Sequence, residues 1–149
     1  MAAAAFTGAT IKMPHFCERC GQRGELALGE KPGGFGAGRG RDEHMDYWAS
    51  FHCRACGSAY EEDGQGIPDA LREAITTRDG EWVLEVRTPP SVSLLKALRE
   101  IGDLSLSELQ AFRAQLPGIL LQGTECEIRW ERALLERHGT TDTLEIRKC

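Results

Sequence analysis

No stretch of this chain approaches the roughly 18 consecutive apolar residues of a membrane-spanning helix. The apolar start, Met1-Ala2-Ala3-Ala4-Ala5-Phe6, has no basic residue before it and is too short for a secretory core. A cytoplasmic protein with no membrane partner is the resulting expectation. Positive charge is also scarce: 18 Lys and Arg stand against 23 Asp and Glu, a net charge of −5 over 149 residues. Residues 1–60 hold seven basic and six acidic side chains, or +1, whereas 61–149 hold eleven and seventeen, or −6. A nucleic-acid partner for the second part is therefore not expected, because such affinity comes largely from neutralising phosphates with Lys and Arg. Catalytic patterns are missing too. The sequence has no nucleophile set beside a base, no zinc-protease helix signature and no phosphate loop, so the expectation is a protein that is not an enzyme.

Cysteine, by contrast, is plentiful. Four of the six cysteines form two Cys-x-x-Cys pairs, Cys17-Glu18-Arg19-Cys20 and Cys53-Arg54-Ala55-Cys56, each followed by glycine (Gly21, Gly57). Such a pair sits on a tight turn that aims two sulfurs at one point about 2.3 Å away, and two pairs complete a tetrahedron. The expectation is one structural zinc ion on Cys17, Cys20, Cys53 and Cys56, with no position open for substrate. Two competing readings have less support. Thioredoxin-like redox pairs lack a βαβ context, and disulfides lack a secretory signal. The 32 residues between the pairs exceed the roughly 15–20 usual for such sites, so an insertion must lie between them. That insertion contains Gly33-Gly34-Phe35-Gly36-Ala37-Gly38-Arg39-Gly40-Arg41, which matches neither dinucleotide nor phosphate-loop spacing. It reads as a loop between two strands; the alternative is a segment contacting RNA through Arg39 and Arg41, with Arg54 nearby. Asp42-Glu43-His44-Met45-Asp46 reads as a solvated acidic turn. His15 and His52 adjoin the cysteine pairs and are expected on the surface or behind the ligands. Cys126 and Cys149 are expected to be neither ligands nor a disulfide.

The remaining elements follow from period and punctuation. Residues 1–14 read as a loose tail, in which 9–13 could add an edge strand. Pro68 opens a short helix with Leu71, Ala74 and Ile75 on one face. A strand with Trp82, Leu84 and Val86 on one side follows. Then come a helix capped by Ser91 or Ser93 that carries Leu94, Leu95, Leu98 and Ile101 and ends at Gly102, and a helix opening on the capping-box spacing Ser105-Leu106-Ser107-Glu108. A strand at 119–121, a helix opening at Thr124-Glu125-Cys126-Glu127 and stopping at Gly139, and a strand at 143–147 complete the chain. The expected class is α+β: a small antiparallel zinc ribbon over 1–64, a linking helix over 65–79 and a βααβαβ domain over 80–149.

Leu94-Leu95-Lys96-Ala97-Leu98-Arg99, Leu104-Ser105-Leu106-Ser107-Glu108 and the helix ending at Gly139 resemble the C-terminal domain of the bacterial large-subunit ribosomal stalk protein. The correspondence runs without gaps from Glu81 to Arg113 and keeps the same element order to the end. The adaptor that feeds substrates to the Clp protease has a similar fold. In the stalk family a basic face on the first two helices recruits translation factors. Lys96 and Arg99 match that face, whereas Ser91, Ser107 and Gln110 stand where lysines are usual, and the dimerisation region of the stalk protein has no counterpart. The resemblance implies the fold and a surface around Lys96, Arg99 and Gln110 that binds a protein partner, as an adaptor or an immunity-type inhibitor does. The alternative is a ribosome-associated or nucleic-acid-binding factor.

Overall fold

The computed structural model describes residues 8–33 and 44–149. Four strands, β1 (Thr10–Phe16), β2 (Arg23–Pro32), β3 (Met45–His52) and β4 (Ala59–Gln65), form an antiparallel sheet in sequence order. The edge strand at the start of the chain is thus present and is longer than its apolar residues suggested. Register fixes two unlike faces. Ile11 pairs with Leu28 and Lys12 with Ala27, so alternation sends the apolar pair to one side and the polar pair to the other. In the centre Trp48 lies opposite Gly29, where a Cβ would stand only 2.3 Å from the indole.

Helix α1 (Asp69–Asp79) follows, then β5 (Trp82–Val86), α2 (Val92–Gly102), α3 (Leu106–Gln115), β6 (Gly118–Gly123), α4 (Glu125–Arg137) and β7 (Leu144–Lys148). The last three strands make a second antiparallel sheet with β5 in the middle, in the order β6-β5-β7. The protein is therefore mixed α+β, with one four-stranded sheet, one three-stranded sheet and four helices among the described residues. Among the described residues no helix is long and apolar enough to cross a membrane.

Helix α4 serves two cores at once. Ile128 and Leu135 pack with Leu84, Val86, Leu94, Leu98 and Leu120 of the second sheet and its helices. Cys126, Trp130 and Leu134, at i, i+4 and i+8, form a second stripe that meets Met45 of β3 and Leu71 and Ile75 of α1. Met45 is only 7% exposed and opens β3, which corrects the expectation of a solvated acidic turn at 42–46. The apolar side chain outweighed its acidic neighbours; Asp42 and Glu43 lie outside the described residues. Helix α2 ends at Gly102 as expected, and Asp103 after it takes the left-handed conformation (φ 50°).

The helix starts follow their local chemistry. Ser91 and Ser105 accept from the backbone N–H groups of Leu94 and Glu108, and Thr124 and Glu127 form a complete reciprocal box. Thr124 also reaches across to the first sheet, donating to Glu30 at 2.6 Å, while the Ala9 N–H donates to the other oxygen of Glu30 at 3.2 Å. Burial pushes the Glu30 carboxyl above the ordinary range, against the pull of the Thr124 hydroxyl. Glu127 in turn receives Arg72 of α1 in a forked pair, Nε to Oε1 at 2.9 Å and Nη2 to Oε2 at 2.8 Å. One polar chain thus ties β2, α4 and α1 together. Replacing Thr124 with Ala removes a helix cap and a donor to a buried oxygen, an expected loss of about 2–3 kcal/mol. Thr124→Ser, which keeps the hydroxyl, should lose well under half of that. Chemical denaturation of the two variants checks this, and equal losses would place the effect in the methyl group instead.

Candidate metal centre

The two cysteine turns close the two hairpins of the first sheet, one between β1 and β2 and the other between β3 and β4. They repeat one backbone pattern. The Gly21 N–H donates to the Cys17 carbonyl at 2.8 Å and the Cys17 N–H to that of Gln22 at 2.9 Å; Gly57 with Cys53, and Cys53 with Ser58, do the same at 2.9 and 2.8 Å. Both glycines sit at positive φ, 73° and 76°, which a side chain at that position would oppose. Since β2 pairs with β3, with Leu26 opposite Phe51, the two turns emerge side by side.

Their four sulfurs all lie within 4.8 Å of one another. Cys17 Sγ is 3.7 Å from Cys56 Sγ, and Cys20 Sγ is 3.5 Å from Cys53 Sγ. A tetrahedron with metal–sulfur bonds of about 2.3 Å has edges of about 3.8 Å, so these residues fit a four-coordinate metal ion. None of the six cysteines is in a disulfide. Cys17 and Cys53 are buried against Phe51 and Leu26, whereas Cys20 and Cys56 face solvent. Behind this cover the His15 ring meets Phe51 edge-on, with centroids 4.7 Å apart. His52 is exposed and 4.0 Å from Glu61. Neither histidine joins the sulfur cluster.

Ser58 is the site residue that spacing alone does not reveal. Its Oγ lies 3.1 Å from Cys17 Sγ and 3.2 Å from Cys56 Sγ. The Ser58 hydroxyl is the largest influence on Cys17, lowering its thiol to about 6 with help from the Cys20 backbone, and it lowers Cys56 as well. At Cys20 the Gln22 backbone N–H acts to lower the thiol, but the Cys53 sulfur and burial prevail and push it up to about 12. The thiols of Cys17 and Cys56 thus shift opposite to that of Cys20, and a bound dication would resolve this by ionising its thiol ligands outright. Such a centre supplies fold, since four sulfurs leave no coordination position for substrate. The clue available in the sequence was a hydroxyl two residues after Cys56.

The other expected site residues are dispersed. Arg54 is exposed in the second cysteine turn and borders an open groove of about 780 Å³ that also touches Lys12, Arg23 and His52. Arg39 and Arg41 lie outside the described residues. Lys96 and Arg99 are exposed on α2, and Gln110 is exposed on α3. Cys126 is buried and burial pushes its thiol up to about 12, while Cys149 is exposed; neither belongs to the sulfur cluster. No family model, curated protein or solved structure matches the chain.

Removing the Ser58 hydroxyl leaves all four sulfurs in place but withdraws a bond that favours the thiolates. Ser58→Ala should therefore weaken metal affinity by about tenfold, a common result of losing a group behind a ligand. Cys17→Ser, which removes a ligand, should weaken it much more. Cobalt(II) titration followed by visible absorption checks both, and an unchanged affinity in Ser58→Ala would mean the hydroxyl plays no part.

Proposed function

We propose that the four cysteines hold one structural zinc ion in a zinc ribbon, and that the chain is a non-catalytic protein-binding module, an adaptor or an immunity-type inhibitor. Zinc is the ion whose tetrahedral all-sulfur chemistry suits a closed site that needs no redox role. The ribbon then serves as a scaffold, and the partner-facing surface is the outer side of α2 and α3 in the stalk-like domain.

One observation carries the binding reading. On α2 the residues Val92, Lys96 and Arg99 fall at i, i+4 and i+7, and on α3 the residues Leu106, Gln110 and Arg113 repeat that spacing. All six side chains are exposed, with Val92 at 82% and Leu106 at 62%. Lys96, Arg99 and Arg113 make no ion pair among the described residues. Along one exposed line α2 therefore offers an apolar residue and two cations, and α3 an apolar residue, an amide and a cation, a composition suited to an interface with an acidic, partly apolar protein surface. Leu94 and Leu98, on the other side of α2, are buried in the core.

The double variant Lys96→Ala with Arg99→Ala should leave thermal stability nearly unchanged, since exposed charges away from special contacts shift it by less than about 0.5 kcal/mol. Recovery of the native partner by pull-down and mass spectrometry should fall by about thirtyfold, the equivalent of a lost interface anchor worth about 2 kcal/mol. Undiminished recovery would move the interface elsewhere. A second reading, a nucleic-acid-binding or ribosome-associated factor, is favoured by one feature: Lys12, Arg23 and Arg54 border the open groove without an ion pair among the described residues. Binding to single-stranded RNA that weakens steeply with salt would support that reading over the first.

A further inference from the structure

A cleft of about 380 Å³ opens where the start of β3 meets α1, α2, α3 and α4. That volume lies in the range of small-molecule sites. Leu98, Leu104, Phe112 and Leu121 line it together with Trp130, giving it a mainly apolar wall. Ile101, Leu104, Phe112 and Leu121 are only half-buried, so apolar surface remains open to an occupant.

Among the described residues, the titratable groups that line the cleft have close partners, with one exception. Arg72 is bound by Glu127 and Asp69, and His44 lies 2.6 Å from Asp46. Glu131, on α4 one turn beyond Glu127, has no ion pair or hydrogen bond to any described residue. Burial pushes its carboxyl up to about 7, and the neighbouring Glu127 adds to the effect. A half-buried, unpaired carboxylate lowers stability, and a glutamine or leucine would fill a similar volume with less of that cost. Acidic groups held this way in a cleft mark candidate binding sites.

We propose that this cleft is a binding site for a small organic cation with an apolar body, its ammonium group meeting Glu131 and its body lying against Leu104, Phe112 and Leu121. A neutral molecule of the same shape gains the apolar contact and at most one ordinary hydrogen bond. An anion finds no free partner there, because Arg72, the cation of the lining among the described residues, is already engaged by Glu127 and Asp69. The site is separate from the exposed stripes of α2 and α3, so it stands or falls independently of the protein-binding reading.

The test uses the full-length, metal-loaded chain and three probes of one shape: 4-phenylbutylammonium, 4-phenylbutanol and 4-phenylbutyrate. Nuclear magnetic resonance should show saturable binding of the ammonium probe, with shifts centred on Leu98, Leu104 and Phe112. The alcohol should bind at least about tenfold more weakly, reflecting loss of a charge-assisted bond, and the carboxylate should not saturate. Glu131→Gln should weaken the ammonium probe by a similar factor, leave the alcohol unchanged and melt no lower than the parent protein. Calorimetry of the unsubstituted protein in buffers of different ionisation enthalpy gives a check free of any variant: ammonium binding near pH 7 should release a fraction of a proton as Glu131 ionises. Shifts centred elsewhere, equal affinity for ammonium and alcohol, indifference to Glu131→Gln, or no proton release would each overturn the proposal.

Discussion

Four cysteine sulfurs within 4.8 Å of one another are an arrangement that thiolates alone resist, because like charges at such distances repel. A dication bound there would turn that repulsion into a cross-link between two hairpins. Its position matters to everything that follows, since the cysteine turns stand at the ends of β1 and β3 and fix how β2 lies against β3. The same pairing aligns Ile11, Leu28, Tyr47 and Met45 toward α1 and α4. A slip of one residue would send these side chains to the open face and their polar neighbours inward. The strand pairing that the two cysteine turns close thereby sets the surface on which α1 and α4 pack.

Helix α4 carries the consequence onward. Because Cys126, Trp130 and Leu134 face the first sheet while Ile128 and Leu135 face the second, neither apolar cluster is complete without this helix. The polar chain from Glu30 through Thr124 and Glu127 to Arg72 runs along the same junction and satisfies groups that would otherwise be buried without partners. Helix α1 is not a loose connector either: Leu71 and Ile75 are 4% and 2% exposed beneath it. The exposed stripes on α2 and α3 are thus carried by helices whose inner faces pack on the second sheet and α4.

What the amino-acid sequence made legible was chemistry confined to a few neighbouring residues. The Cys-x-x-Cys-Gly turns, the caps at Ser91 and Ser105 and the box at Thr124 and Glu127 each depend on atoms within four or five positions. Met45 was misread because its burial depends on Leu71, Ile75 and Trp130, residues far along the chain. Ser58 was overlooked because it serves Cys17, 41 positions away. Glu131 showed no signal at all, since an acidic residue on a helix is ordinary until the packing around it is known. The end of α2 at Gly102 was legible, but the left-handed conformation just after it falls to Asp103, a position that glycine usually takes.

X-ray absorption at the zinc edge, recorded on the full-length protein as purified, tests the central claim most directly. The account predicts one zinc per chain surrounded by four sulfurs at about 2.3 Å, with no nitrogen or oxygen in the shell. A shell containing nitrogen or oxygen at about 2.0–2.1 Å, or protein that is folded yet lacks stoichiometric zinc, would contradict it.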